Sequence, residues 1–201
     1  MKIYFYIFIF IQLLACKSKV SLPPDQFINY INSNESNLKE EKEMVSVLFI
    51  AKMLTPEYLA AKALRESNVS KEEYNEQLAY YKDKINFNFI IRDNQGKGQN
   101  KVINMLSKDE QYASYLGYAN TKLKDDFKLI VGADTIYCAM VHMEAANSVS
   151  PSIRITIGFK GIKSIQENDI TLIYEDNLFN NGPMKFYFSN GTLKNIPSIN
   201  F

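Results

Sequence analysis

Two stretches of the chain alternate in parity. Ile85, Phe87, Phe89 and Ile91 fall on one side of a period-two pattern, with Asn86 and Asn88 on the other; Ile153, Ile155, Ile157 and Phe159 repeat the pattern later. Successive strand side chains point to opposite faces, so each stretch predicts a strand with one buried face. Residues 44–54, carrying Val45, Val47, Leu48, Phe49 and Ile50, predict a buried strand. Residues 127–131 and 135–142 flank Gly132-Ala133-Asp134 and predict a hairpin. Residues 170–174 and 184–188 add two strands, with turn signals at Asn181-Gly182-Pro183 and Asn190-Gly191.

Elsewhere the apolar spacing is helical. Thr55-Pro56-Glu57 opens a helix: threonine caps, proline fits the first helical position, and glutamate favours the positive end of the dipole. Tyr58, Leu59, Ala61 and Leu64 follow, and Ser67-Asn68 closes it. Ser70 with Glu73 forms a capping box ahead of Tyr74, Leu78 and Tyr81. Asp25 is placed to cap a short helix over residues 26–31 that carries Phe27, Ile28, Tyr30 and Ile31. Residues 101–106 and 109–123 predict two more helices after a glycine-containing loop over 93–99.

Helices therefore concentrate in the first half and strands in the second. This segregation predicts the α+β class, with a mainly antiparallel β-sheet of about six or seven strands covered on one face by helices. Residues 26–201 form a single globular domain on this reading, and no repeat, heptad or low-complexity tract interrupts it.

The start of the chain follows a different logic. Lys2 precedes an apolar run over residues 3–14 broken only by Gln12. At ~1.5 Å per residue this run reaches roughly 18 Å as a helix, short of a ~30 Å bilayer core and suited to a signal-peptide core. It ends in Leu13-Leu14-Ala15-Cys16, a lipobox pattern with leucine three before the cysteine and a small residue just before it; Leu14 is bulkier than the usual middle residue. The expectation is a signal peptide over residues 1–15, cleavage between Ala15 and Cys16, and lipidation of Cys16 with two or three acyl chains, palmitate among them. A secretory leader with a chance cysteine and an uncleaved anchor are the weaker alternatives. Multiple chains anchor stably, at about 0.8 kcal/mol per buried methylene, so the bilayer is the first expected partner. Residues 16–25 would be a tether stiffened by Pro23-Pro24. Lys17, Ser18 and Lys19 follow the cysteine without an aspartate, which favours the outer membrane and, given the basic character, its periplasmic face.

Composition narrows the function classes. The formal charge is +1, so there is no basic excess for nucleic acid and no acidic excess for disorder. With Cys16 lipidated, Cys138 is the remaining cysteine, which rules out a disulfide framework and leaves a cysteine-based zinc site unsupported. Tyrosine and phenylalanine number 13 each and tryptophan is absent, so the core should be aromatic and aliphatic with tyrosines at its margins.

The candidate chemistry is thin. Cys138, Met140, His142 and Glu144 share one parity, and His142 is the only histidine. On a strand Cys138 and His142 lie roughly 13 Å apart at ~3.3 Å per residue, whereas a nucleophile and its base need ~3 Å. Residues 93–101 sit between strand and helix, where phosphate loops occur, but complete neither a Walker spacing nor a G-x-G-x-x-G. Residues 39–43 (Lys-Glu-Glu-Lys-Glu) read as solvated surface. Asp125-Asp126, Glu175-Asp176 and Glu167 with Asp169 could supply paired carboxylates, with no EF-hand spacing. The expectation is no catalytic residue, no metal and no cofactor.

At Leu54-Thr55-Pro56-Glu57-Tyr58-Leu59-Ala60 and Gly182-Pro183-Met184-Lys185-Phe186 the chain resembles small cell-envelope lipoproteins of the Bacteroidota. Those proteins share an N-terminal lipobox, an early Phe/Tyr-rich helix, an extended segment running into a Pro-Glu-Tyr helix, and a β-rich end. The resemblance implies an anchored envelope protein and no particular activity. The expected role is non-enzymatic, binding an envelope partner or supporting an assembly. The alternatives are a periplasmic ligand-binding module with a tyrosine-lined pocket and, behind it, a carboxylate-based hydrolase.

Overall fold

The two alternating stretches meet in register. In a computed structural model of the chain they are β4 (Lys84–Asp93) and β8 (Ser152–Lys160), antiparallel neighbours that set Phe87 opposite Ile157 and Phe89 opposite Ile155. The structure describes residues 20–64, 70–94, 100–144, 152–162, 165 and 167–201. The expected signal peptide, Ala15 and Cys16 lie outside the described residues.

Eleven strands form three sheets among the described residues, so the class is α+β with mainly antiparallel sheets. The first sheet runs in the order β2 (Lys39–Met44), β3 (Val47–Leu54), β4, β8, β7 (Met140–Met143). The second runs β10 (Gly182–Phe188), β9 (Ile170–Asp176), β5 (Phe127–Val131), β6 (Asp134–Tyr137). A short parallel pair, β1 (Ser21–Leu22) with β11 (Ser198–Ile199), ties the two ends of the domain together. There are more strands than the six or seven expected, and the sheet's cover differs. The two sheets cover each other, because each presents a predominantly apolar parity: Phe49, Phe87 and Phe89 from the first; Phe127, Tyr174 and Phe186 from the second. Phe89 meets Tyr174, Phe127 and Phe186 across the interface at centroid distances of 4.9, 5.2 and 5.5 Å.

Among the described residues, five of the six α-helices precede residue 122: α1 (Pro24–Asn32), α2 (Pro56–Ala63), α3 (Lys71–Tyr81), α4 (Lys101–Ser107) and α5 (Asp109–Thr121). Thr55 caps α2 by accepting from Tyr58 N at 3.3 Å. The capping box at α3 is complete, with Glu73 N to Ser70 Oγ at 3.2 Å and Ser70 N to Glu73 Oε2 at 2.9 Å.

Several local expectations need correction. Within the tether expected over 16–25, Ser21–Leu22 forms a strand, because β11 supplies a partner from far along the chain. Pro23, not Asp25, is the N-cap of α1; Pro24 takes the first position and Asp25 sits in the first turn. The charged run 39–43 is solvated, as expected, but it is a strand, β2, at the edge of its sheet, where charged side chains protect an open edge from pairing with other chains. Asn190-Gly191 opens α6 (Asn190–Lys194), since Ser189 caps it by accepting from Thr192 N. The strand expected over 135–142 is two strands in different sheets. The chain leaves β6, turns through Cys138 and Ala139, and joins the other sheet as β7, where Ala139 N donates to Gly158 O at 2.8 Å. Strands that switch sheets make the corners of a sandwich.

Candidate functional site

One helix face and one hairpin turn enclose the best candidate. Gln111, Ser114, Tyr115 and Tyr118 are spaced three, one and three apart, so α5 presents them on one side. Opposite lies the β9–β10 turn, with Asn177, Leu178 and Phe179 facing the helix across a cleft of about 560 Å³. Lys101, Asn104 and Met105 of α4, and Lys108 at its end, complete the wall.

Two buried aspartates build this arrangement. Asp126 accepts from Asn177 Nδ2 at 2.8 Å and from the Tyr118 hydroxyl, so one carboxylate joins both walls. Asp176 is 1% exposed and shapes the turn. Its Oδ1 accepts from the Tyr174 hydroxyl at 3.1 Å and Phe179 N at 3.2 Å; its Oδ2 accepts from Asn181 N at 3.2 Å and Asn181 Nδ2 at 2.6 Å. Burial is the main reason the Asp126 carboxyl is raised to about 6, with the negative charges of Asp176 and Glu175 adding and the Asn177 hydrogen bond opposing.

That shift fixes a pH dependence. The folded protein holds the Asp126 proton more tightly than the unfolded chain, so the group favours folding at low pH. The benefit fades as pH rises from about 4 through about 6. Asp126→Asn should therefore raise stability at pH 7.5 by roughly 1–2 kcal/mol, allowing for solvent screening, with no gain at pH 4. The amide keeps an acceptor for Asn177 and offers a donor to the Tyr118 oxygen. Urea titrations at both pH values test this, and an equal loss at each would contradict it.

Tyr115 stands apart. It is 4% exposed, and among the described residues its hydroxyl is the one buried side-chain nitrogen or oxygen without a hydrogen-bond partner. Burial raises its pKa, so the hydroxyl keeps its proton. A second groove of about 360 Å³, between Thr55, Leu78, Leu193 and Ile196, has no such unpaired group.

The other candidates are dispersed. Cys138 is buried at the sheet corner, with its thiol toward the Met140 and Gly158 carbonyls at 3.1 and 3.7 Å, and burial pushes the thiol up. His142 and Met140 are exposed on β7, and Glu144 is exposed beyond its end. A buried protonated thiol is a small core side chain, not an activated nucleophile. In the loop over 93–101, residues 95–99 lie outside the described residues. Both Asp93 carboxylate oxygens accept from the first amides of α4, Val102 N and Ile103 N, at 2.9 Å each, so a phosphate's position is already filled. Of the paired carboxylates, Asp126 and Asp176 come together beneath the cleft while Asp125 and Glu175 are exposed. Asp169 and Glu167 serve α6: the Asp169 carboxylate accepts from Asn190 N and the Glu167 carbonyl from Asn190 Nδ2. Among the described residues no three His, Cys, Asp or Glu side chains come together as a metal site, and no helix is long and apolar enough to cross a membrane.

Sequence reasoning did not single out Tyr115, Tyr118 or Asn177. The helical spacing over 111–118 was the available signal for the tyrosines, whereas Asn177 reaches Asp126 from 51 residues away along the chain. Comparison with protein families, with curated proteins and with solved structures finds no match.

Proposed function

We propose that this chain is a lipid-anchored lipoprotein of the bacterial cell envelope, at the periplasmic face of the outer membrane, whose domain binds a ligand in the tyrosine-lined cleft without transforming it. The observation that carries the binding role is an open cleft of about 560 Å³ on which two tyrosines of α5, two lysines and the amides of Asn104, Gln111 and Asn177 converge. Binding is favoured over catalysis because both oxygens of Asp126 and of Asp176 are already committed to hydrogen bonds, which leaves neither poised as a base. The anchor rests on Leu13-Leu14-Ala15-Cys16 and the short apolar run before it.

Two measurements test the two halves. Cys16→Ser should abolish acylation, and intact mass should show loss of the acyl chains together with retention of residues 1–15. A native protein that is already free and unacylated would sink the anchor. For the cleft, Ser114→Arg lays a long side chain across it from an exposed helical position. A thermal-shift screen of envelope metabolites on the detergent-solubilised full chain should find compounds that stabilise the natural protein and not this variant. If no compound separates the two, the cleft is not a binding site.

A further inference from the structure

Charge runs through the cleft in one direction. Lys101 and Lys108 stand in its wall, and neither has an ion-pair partner among the described residues. At the other end, Asp126 and Asp176 lie buried beneath Tyr118 and the β9–β10 turn, with Glu175 close enough to act on Asp126. A ligand with an anionic end is attracted to the lysines and repelled from the aspartates, so its orientation is set.

Between these ends the wall is of two kinds. Asn104, Gln111 and Asn177 each offer a carbonyl acceptor and an amide donor on neighbouring atoms, and Ser114 adds a hydroxyl. Adjacent hydroxyl groups of a polyol, each both donor and acceptor, complement such amides. Met105, Tyr118 and Phe179 supply apolar and aromatic surface that suits a C–H face. Tyr118 and Asn177 are held in place by Asp126, so two of the contacts are formed before a ligand arrives.

Building on the cleft's binding role, we infer that its ligand is a hydroxyl-rich organic anion, a sugar acid or sugar phosphate, with its anionic group at Lys101 and Lys108. The amides of Asn104, Gln111 and Asn177 take its hydroxyls. The volume, about 560 Å³, falls within the usual range of small-molecule sites, about 300–1,000 Å³.

The test is ligand-observed NMR titration of the detergent-solubilised full chain at pH 7.5 with glucuronate, glucose and inorganic phosphate. Glucuronate should bind, and glucose and phosphate each at least about tenfold more weakly. Lys101→Gln with Lys108→Gln should weaken glucuronate about tenfold and leave glucose unchanged. Asn104→Ala with Gln111→Ala should weaken both sugars about tenfold while leaving the Tm of the free protein unchanged, since both side chains line the cleft from exposed positions. Lost affinity at unchanged stability separates a ligand contact from a packing role, and unchanged affinity would overturn the polyol reading. Phosphate binding as tightly as glucuronate would overturn the saccharide class, and an inert lysine pair would overturn the anionic end. If none of the three probes binds but the metabolite screen still yields compounds blocked by Ser114→Arg, the ligand class fails and the binding role stands. If the screen is also empty, both fail.

Discussion

Phe89→Ala is expected to destabilise the domain by about 4 kcal/mol in urea denaturation, within the usual cost of truncating a buried phenylalanine. Phe89 is fully buried near the middle of β4, and its ring touches both sheets. It lies 6.4 Å from Phe49 on its own sheet and within 5.5 Å of Tyr174, Phe127 and Phe186 on the other. Removing it leaves a cavity that four rigid rings cannot close, because each is held by its own strand register and the interior is close-packed. Total stabilities of about 5–15 kcal/mol leave such a variant marginal. Phe201→Ala is the control. That ring is half exposed and rests on Tyr74, so its loss should cost under about 1 kcal/mol. Comparable losses at the two positions would mean that the sandwich interface is not the seat of stability.

The sheet register was the most legible part of this fold. Where one parity is apolar, slipping a strand by one residue would turn every core side chain to solvent, so the alternation at residues 85–91 and 153–159 already restricts which residues oppose each other. Helix starts were legible for a similar reason: Thr55 and Ser70 carry their capping partners three residues on. The pairing of one sheet against another was not. Apolar parity says that a face is covered but not what covers it, and helices and a second sheet satisfy it equally. The corner at Cys138 was hidden because residues 135–142 are apolar enough for one strand, and the change of sheet depends on where β8 lies. The cleft was the least legible. Its α5 wall is local, but Asp126 and Asn177 become neighbours only after β5 and β9 pair, which is long-range information that no single segment holds.

Asp176→Ala should cost about 3 kcal/mol and also abolish whatever binding the cleft supports. The carboxylate is the hub of the β9–β10 turn, accepting from two backbone amides, the Asn181 side chain and the Tyr174 hydroxyl. Truncation leaves the Tyr174 hydroxyl without its acceptor in the aromatic core, where its ring stacks on Phe127 at 4.8 Å. Each stranded buried donor costs about 1–3 kcal/mol. Relief of one buried negative charge offsets part of that loss, which is why the total falls short of the sum. The amides of Phe179 and Asn181 lose the group that fixes the turn, so the wall opposite α5 loosens, and Asn177 moves with it. Two companion measurements follow from the same geometry. Asp176→Ala removes a negative neighbour of Asp126, so the Asp126 carboxyl should titrate lower than about 6, visible as a shift in the stability–pH profile. Tyr174→Phe removes the donor stranded by the truncation, so the double variant should be less destabilised than the two single losses added together. Strict additivity, or a truncation that costs less than about 1 kcal/mol, would show that the turn holds its shape without this carboxylate.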